Sequence, residues 1–289
     1  LAYLWVVSLI WAFSFGIIKN QLAGLDASVI AAARLLAAAL VLLPFLRLRG
    51  VPRRLRAQLA LTGAVQFGLM YITYNLAFGY LQAYEVALFT IFTPLYVTLI
   101  HDALRRRLNL VSLAAALLAV AGTALVKGGV HMSAEILLGF GLVQLSNLCF
   151  ACGQVWYREV MRGQNQVSDL QVFALLMGGG ALTALVAVML FRPAHPLAFT
   201  LQQALALLYL GGVASGLGFW LWNAGARRVS AGTLAVFNDL KIPLAVAVSL
   251  LVFGEQTDLP RLLMGGTLVL AALLLNERFA QQPSRQTEN

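Results

Sequence analysis

The stretch Phe237-Asn238-Asp239-Leu240-Lys241-Ile242-Pro243 places an amide, a carboxylate and an ammonium inside an apolar run from Ala231 to Val252. A run of that length crosses a bilayer. A lysine at the centre of a span costs about 2.5–3.5 kcal/mol on insertion scales, so intramembrane charge is a functional signal. Pro243 has no N–H and disfavours the α conformation at Ile242, which predicts a helix bent or broken beside its polar groups. Irregular backbone at that depth needs a cavity or a protein surround. The plain reading is that Asp239 and Lys241 tie neighbouring helices together. The functional reading, preferred here, is that Lys241 receives a solute carboxylate. Asp239 is two residues away, and i,i+2 side chains on a regular helix do not face each other.

Other apolar runs carry polar and aromatic stripes. Gln66, Met70, Tyr74 and Phe78 recur at i+4, with Tyr71 and Asn75 alongside. Gln144, Asn147, Ala151 and Gln154 share one helical face, Phe219, Trp222 and Asn223 cluster in a later run, and Ser8, Trp11 and Phe15 share the first. Such stripes face a bundle interior or a wet cavity rather than lipid. The candidate solute contacts are Lys241, Asn238, Asp239, Tyr71, Tyr74, Asn75, Trp222, Asn223, Phe237, Asn147 and Trp11. Asn75 and Asn223 serve equally well as interhelical hydrogen-bond partners, worth about 0.6 kcal/mol each. Trp220 reads as an interface-belt residue. Arg34 lies about 9 Å along its helix from the outer end and is expected to snorkel or to pair structurally. Glu85, near an outer end, is expected to be solvated.

These residues need helices to hold them, and the composition supplies only that. Of the 289 residues, 61% are hydrophobic and 11% are charged, against about 25% charged in soluble domains. Ten apolar runs follow, at roughly 2–18, 28–46, 57–79, 83–101, 109–127, 136–157, 168–191, 202–224, 231–252 and 260–276. The chain opens at Leu1 rather than methionine, so residues are expected to precede it; the first run reads as a span, not a cleaved leader. Fourteen of the 20 Lys and Arg residues fall in even-numbered loops or the tail, as in Arg47 to Arg56, Arg105 to Arg107, and Arg227 and Arg228. That bias predicts cytoplasmic termini. It also accounts for the net charge of +9 without nucleic acid. Cys149 and Cys152 form a C-x-x-C within a span and read as small packing residues. His101, His131 and His195 are scattered, and there is no phosphate-binding P-loop. No metal or other cofactor is expected. An integral membrane enzyme, such as a lipid-modifying transferase, is the alternative, and it lacks the clustered acids or histidines that such chemistry needs.

The runs repeat. Tyr74/Trp222, Asn75/Asn223, Ala83/Ala231, Ala87/Ala235 and Phe89/Phe237 are all 148 apart, and Pro94/Pro243 are 149 apart. Ser8/Asn147 and Trp11-Ala12/Phe150-Ala151 form a fainter echo. Five runs per half force the second half to be inverted, the plan of many secondary transporters. The expected fold is an all-α membrane protein of ten transmembrane helices in two inverted five-helix repeats, residues 1–128 and 129–278, with a cytoplasmic tail over 279–289.

Three stretches carry a resemblance to the drug/metabolite transporter superfamily and its EamA branch. Trp11 to Lys19 resembles the first-span W-G-x-x-x-x-x-K pattern, with Ala12 where glycine is common. Ala31 to Ala37 resembles the second-span arginine motif around Arg34, and Phe253-Gly254-Glu255 with Gly265-Gly266 resembles the closing G-E…G pattern. The first half departs from it, with Arg105-Arg106-Arg107 where a matching glutamate is common. The resemblance implies a multi-pass exporter of small metabolites in the bacterial inner membrane, working by alternating access. The aromatic residues look most like amino-acid exporters of the YddG type, for aromatic or other hydrophobic amino acids. The implied partners are a small solute and the lipid bilayer.

Overall fold

The computed structural model describes residues 2–104, 133–164, 166–192, 198–226 and 231–280, with single positions between 114 and 125. All regular structure among these residues is helical. The fifth apolar run, 109–127, lies largely outside the described residues. Five stretches are each long and apolar enough to cross a membrane: Ala2–Gln21, Ala27–Phe45, Ala134–Met161, Asp169–Phe191 and Leu201–Trp222. Shorter apolar helices cover Ala83–Val97, Leu240–Leu251 and Leu259–Ala271. The protein is a multi-pass membrane protein.

In chain order, α1 is Ala2–Gln21 and α2 is Ala27–Leu42. Numbered by the apolar runs of the sequence, the third span is α3 (Arg53–Gly63), a π-helical stretch Ala64–Leu69, and α4 (Met70–Ala77). The fourth is α5 (Ala83–Phe89), a 3-10 turn Thr90–Phe92, and α6 (Thr93–Leu104). Then come α7 (Ala134–Met161) and α8 (Asp169–Phe191). The eighth span is α9 (Leu201–Leu208), a π-helical stretch Tyr209–Leu217, and α10 (Gly218–Ala226). The last two are α11 (Ala231–Leu251) and α12 (Leu259–Ala280). Side-chain caps open several of them: Asp26 accepts from Ser28 N at 2.8 Å, and Ser133, Ser168 and Thr200 do the same for α7, α8 and α9. Arg53, Arg54 and Arg56 belong to α3 itself, not to the loop before it.

The third span meets the seventh backbone to backbone. A methyl group on Gly63 would lie 1.9 Å from the Leu176 carbonyl oxygen, and one on Gly179 would lie 1.9 Å from that of Ala60. The second and eighth spans meet the same way, with Gly211 against the Arg34 carbonyl at 2.6 Å. Association in lipid depends on such close approach, because the hydrocarbon offers no hydrophobic drive between helices.

The expected break at Pro243 is not there. Helix α11 runs unbroken through it, and Pro243 is exposed on the outer face while Ile242, Ala245 and Ser249 are buried. The irregular backbone sits instead in the other member of the repeat, where the 3-10 turn Thr90–Phe92 precedes Pro94. The π stretches also recur: 64–69 shifted by the repeat spacing falls on 212–217, inside Tyr209–Leu217. π turns gather at functional sites.

Candidate functional site

A cavity of about 230 Å³ opens between the helices. The first span lends it Trp11, Ser14 and Phe15, and the second Arg34. The third span supplies Gln66, Phe67, Met70, Tyr71 and Tyr74, and the fourth Thr90 and Thr93. Ser146, Asn147, Phe150, Gln154 and Tyr157 come from α7, and Phe173 and Leu176 from α8. Phe219 and Trp222 come from α10, and Lys241 from α11. Both halves contribute at matching spacing, as in Tyr71/Phe219, Tyr74/Trp222, Thr93/Lys241 and, in the fainter register, Trp11/Phe150. The cations break that symmetry. Arg34 has Phe173 as its counterpart in the fainter register, and Lys241 has Thr93.

The aromatic wall is continuous. The Trp11 ring lies 5.5 Å from Phe219 and 5.3 Å from Trp222, and Phe67 meets Phe219 edge-on at 5.2 Å. Tyr74 stands edge-on to Phe15, Tyr71 and Phe78. These offset and edge geometries are the favourable ones for aromatic pairs.

The π stretch Tyr209–Leu217 anchors this wall. Trp11 Nε1 donates to the Ala214 carbonyl at 2.8 Å, and Arg34 Nε donates to Ser215 Oγ at 2.9 Å. The Tyr71 hydroxyl is 3.2 Å from Ser215 Oγ, and the guanidinium carbon of Arg34 sits 4.2 Å over the Tyr71 ring. Lys241 Nζ lies 5.4 Å from the centre of the Trp11 ring. Both cations therefore rest on aromatic faces, within cation–π range. Opposite chemistry comes from α7, where Asn147 Nδ2 donates to the Phe89 carbonyl at 2.8 Å and Asn147 Oδ1 accepts from Thr93 at 3.2 Å.

Of the sequence candidates, Trp11, Tyr71, Tyr74, Asn147, Trp222 and Lys241 line the cavity. Asn75 does not. Its Nδ2 donates to the Ala27 carbonyl at 3.2 Å, which ties the third span to the start of α2. The side chains of Asn223, Phe237, Asn238 and Asp239 lie outside the described residues. Ser8 is fully buried away from the cavity, and Ser14 lines it instead. Gln144 also stands back, accepting from Tyr96 and Asn147.

Of the two readings of Arg34, the structural pair holds, with Ser215 of the eighth span as the partner, and snorkelling does not; the expectation for Glu85 reverses. Arg34 does not snorkel: it is 4% exposed and turned inward, because Ser215 and Tyr71 hold it there. Glu85 is not solvated. It is buried and accepts from Gln82 N at 2.9 Å, closing a capping box at the start of α5. The Gln82-x-x-Glu85 spacing was the available signal. Nothing in the helical periodicity marked Ser215, which owes its placement to the π turn.

The comparisons with known proteins agree with this architecture. A chain from Pseudomonas aeruginosa described as a probable biotin transporter is 42% identical over 95% of this chain and 96% of its own. One from Salmonella typhimurium described as a biotin transporter is 38% identical over 99% and 96%. A probable amino-acid metabolite efflux pump from Salmonella typhimurium is 25% identical over 94% and 92%. A crystal structure 19% identical in sequence covers 97% of this chain and 96% of its own with a TM-score of 0.64, which speaks to the fold alone. The EamA-like transporter family matches residues 1–128 and 137–277. A match over nearly the whole chain settles the assignment: this protein belongs to the EamA-like transporter family.

Proposed function

We propose that the chain carries biotin, or a solute of the same chemistry, across the bacterial inner membrane by alternating access between two inverted five-helix halves, 1–128 and 129–278. Biotin joins a compact polar bicycle to an aliphatic chain ending in a carboxylate. The observation that carries the reading is a single cavity holding two cations, Arg34 and Lys241, among aromatic walls and side-chain amides. The cations suit the carboxylate, with Lys241 drawing it in. Trp11, Tyr74 and Trp222 suit the apolar body, and Asn147 and Gln154 suit the ureido group. The volume, about 230 Å³, is below the roughly 300–1,000 Å³ of pockets for drug-sized ligands, and favours a small metabolite over a nucleotide sugar. The relatives support biotin over an aromatic amino acid, since those described as biotin transporters are 42% and 38% identical against 25% for the efflux pump.

Purified protein in liposomes should give saturable flux of radiolabelled biotin that excess unlabelled biotin abolishes and phenylalanine barely slows. Saturable phenylalanine or tryptophan flux without biotin flux would install amino-acid export, the second reading, in its place. Imposing the gradient in each direction, with and without a proton gradient, reads the direction and the coupling. The charge bias of the loops supports cytoplasmic termini in this reading. In a cysteine-free background, a cysteine at Arg54 should be protected from an impermeant thiol reagent in intact cells, and one at Asp258 should react.

A further inference from the structure

Among the described residues, Arg34 is a buried cation with no anion in reach. It is 4% exposed, yet no carboxylate among them reaches it; two ion pairs among them, Arg162–Glu159 and Arg261–Asp258, are on the surface. Among the described residues its one hydrogen bond leaves from Nε to Ser215, and the buried Nη1 finds no partner there. A buried charge left unpaired is strongly unfavourable, so the sequence keeps it for something. Joining α2 to the eighth span does not require it, because a neutral amide would donate to Ser215 equally well. Gly211 already brings the two backbones together at that level.

The surroundings fix the guanidinium rather than neutralise it. The Tyr71 ring lies under its plane, Ser215 occupies the Nε edge, and the Tyr71 hydroxyl meets the same Ser215 Oγ. With Nε taken, the terminal nitrogens are the donors left for a planar acceptor, which is the fork that carboxylates accept. The counterpart of Arg34 in the fainter repeat is Phe173, so the fork exists on one side of the cavity only.

We infer that Arg34 is the carboxylate anchor of the cavity, that Tyr71 and Ser215 are its positioning residues, and that this one-sided anchor gives the solute a single orientation. Lys241 is then the second cation, on the Trp11 face, and not the primary grip. The inference rests on the proposed reading that the solute bears a carboxylate.

The test compares biotin with biotinol, in which a hydroxymethyl group replaces the carboxyl. Binding to purified protein is followed by calorimetry and transport is measured in liposomes. Arg34→Gln should weaken biotin binding by about tenfold or more, the size of a charge-assisted hydrogen bond, while biotinol stays within about twofold of wild type. Arg34→Lys should fall between. Tyr71→Phe and Ser215→Ala should raise the biotin KM by a clearly larger factor than the biotinol KM. Equal loss of biotin and biotinol in Arg34→Gln, with a normal elution profile, would overturn the anchor, as would unchanged biotin binding. If Arg34→Gln does not fold, Arg34→Lys and Ser215→Ala decide: an unchanged biotin-to-biotinol ratio in both overturns the inference. A wild type that binds no biotin sinks the proposed substrate instead. The same variants are then scored with phenylalanine against phenylalaninol, where selective loss of the acid upholds the anchor and equal loss overturns it.

Discussion

Two places in the molecule bring charged groups from both halves together, and they differ in how completely those groups are paired. One is the cavity. The other is the junction where Glu255 meets the start of α5. There Glu255 Oε1 accepts from Ala83 N at 2.8 Å, and Oε2 accepts from Tyr84 N at 3.1 Å and from the Ser249 hydroxyl. Glu85 takes the Gln82 amide and the Tyr84 hydroxyl. The first N–H groups of a helix have no partners within it, and here three of them find carboxylates. Gly254, at φ +67°, turns the chain so that Glu255 arrives. Phe253 lies so close over Gly16 that a methyl there would come within 2.2 Å of its ring. The cavity leaves Arg34 Nη1 and Gln66 Oε1 without partners. A junction whose polar groups are answered within the chain holds the scaffold, and one that leaves Arg34 Nη1 and Gln66 Oε1 unanswered is ready for a solute.

The largest expected effect comes from breaking the answered junction. Glu255→Ala strands two amides and the Ser249 hydroxyl. A hydrogen bond to a charged group contributes about 1.5–3 kcal/mol, so the melting temperature of detergent-purified protein should drop by several degrees. The biotin KM of the surviving folded protein should be unchanged. A lower KM or a higher one at normal melting temperature would move Glu255 from scaffold to transport cycle.

The converse substitution is Gln66→Leu in the cavity. It removes a buried oxygen that has no donor, so melting should hold or rise slightly. Transport should fall, because Gln66 lines the cavity on the π stretch, next in sequence to Phe67 of the aromatic wall. A destabilised Gln66→Leu with normal transport of the remaining folded protein would break the distinction between the two junctions.

The helices were legible because lipid demands long apolar runs, and nearly every run returned as a helix within a few residues of its expected ends. The cavity was half legible. Stripes such as Gln66, Met70 and Tyr74, or Asn147 and Gln154, faced inward as spacing requires. Arg34 was not legible, since a long cation about 9 Å from a helix end reaches water or the interior equally well. Its direction is set by Ser215, 181 residues away, on a π turn that no apolar periodicity encodes. Pro94 and Pro243 carried the same local signal and gave opposite backbones. The outer face around Pro243 lets its ring sit outside an intact helix, whereas the fourth span tightens into a 3-10 turn before Pro94.

A smaller effect should follow from thinning the cavity wall. Trp222 pairs with Trp11, the residue beneath Lys241. Trp222→Ala should cost an apolar solute about 0.5–1.5 kcal/mol beyond lost burial, a several-fold rise in KM. Melting should change little. The order of preference among biotin, its shorter-chain homologues and phenylalanine should shift, with bulkier apolar bodies losing most. An unchanged order at normal expression would assign Trp222 to packing.

The smallest effect tests the rule at its weakest point, Asn75. Asn75 Oδ1 is buried without a partner, as Gln66 Oε1 is, but Asn75 does not line the cavity. Its Nδ2 donates to the Ala27 carbonyl, the first residue of α2. That hydrogen bond joins two helices of the same half, and such bonds are worth about 0.6 kcal/mol in membranes. Asn75→Leu removes the donor and the orphan oxygen together, so the loss and the relief nearly cancel. The expected outcome is a melting temperature within about a degree or two of wild type, given so small a net change. The biotin KM, the phenylalanine KM and the maximal rates should stay where they are. A raised biotin KM at wild-type stability would mean that an unanswered group marks the solute path even where no cavity is open. In that case the third span would present Asn75 to the solute at another stage of the cycle, when α2 has moved away from it.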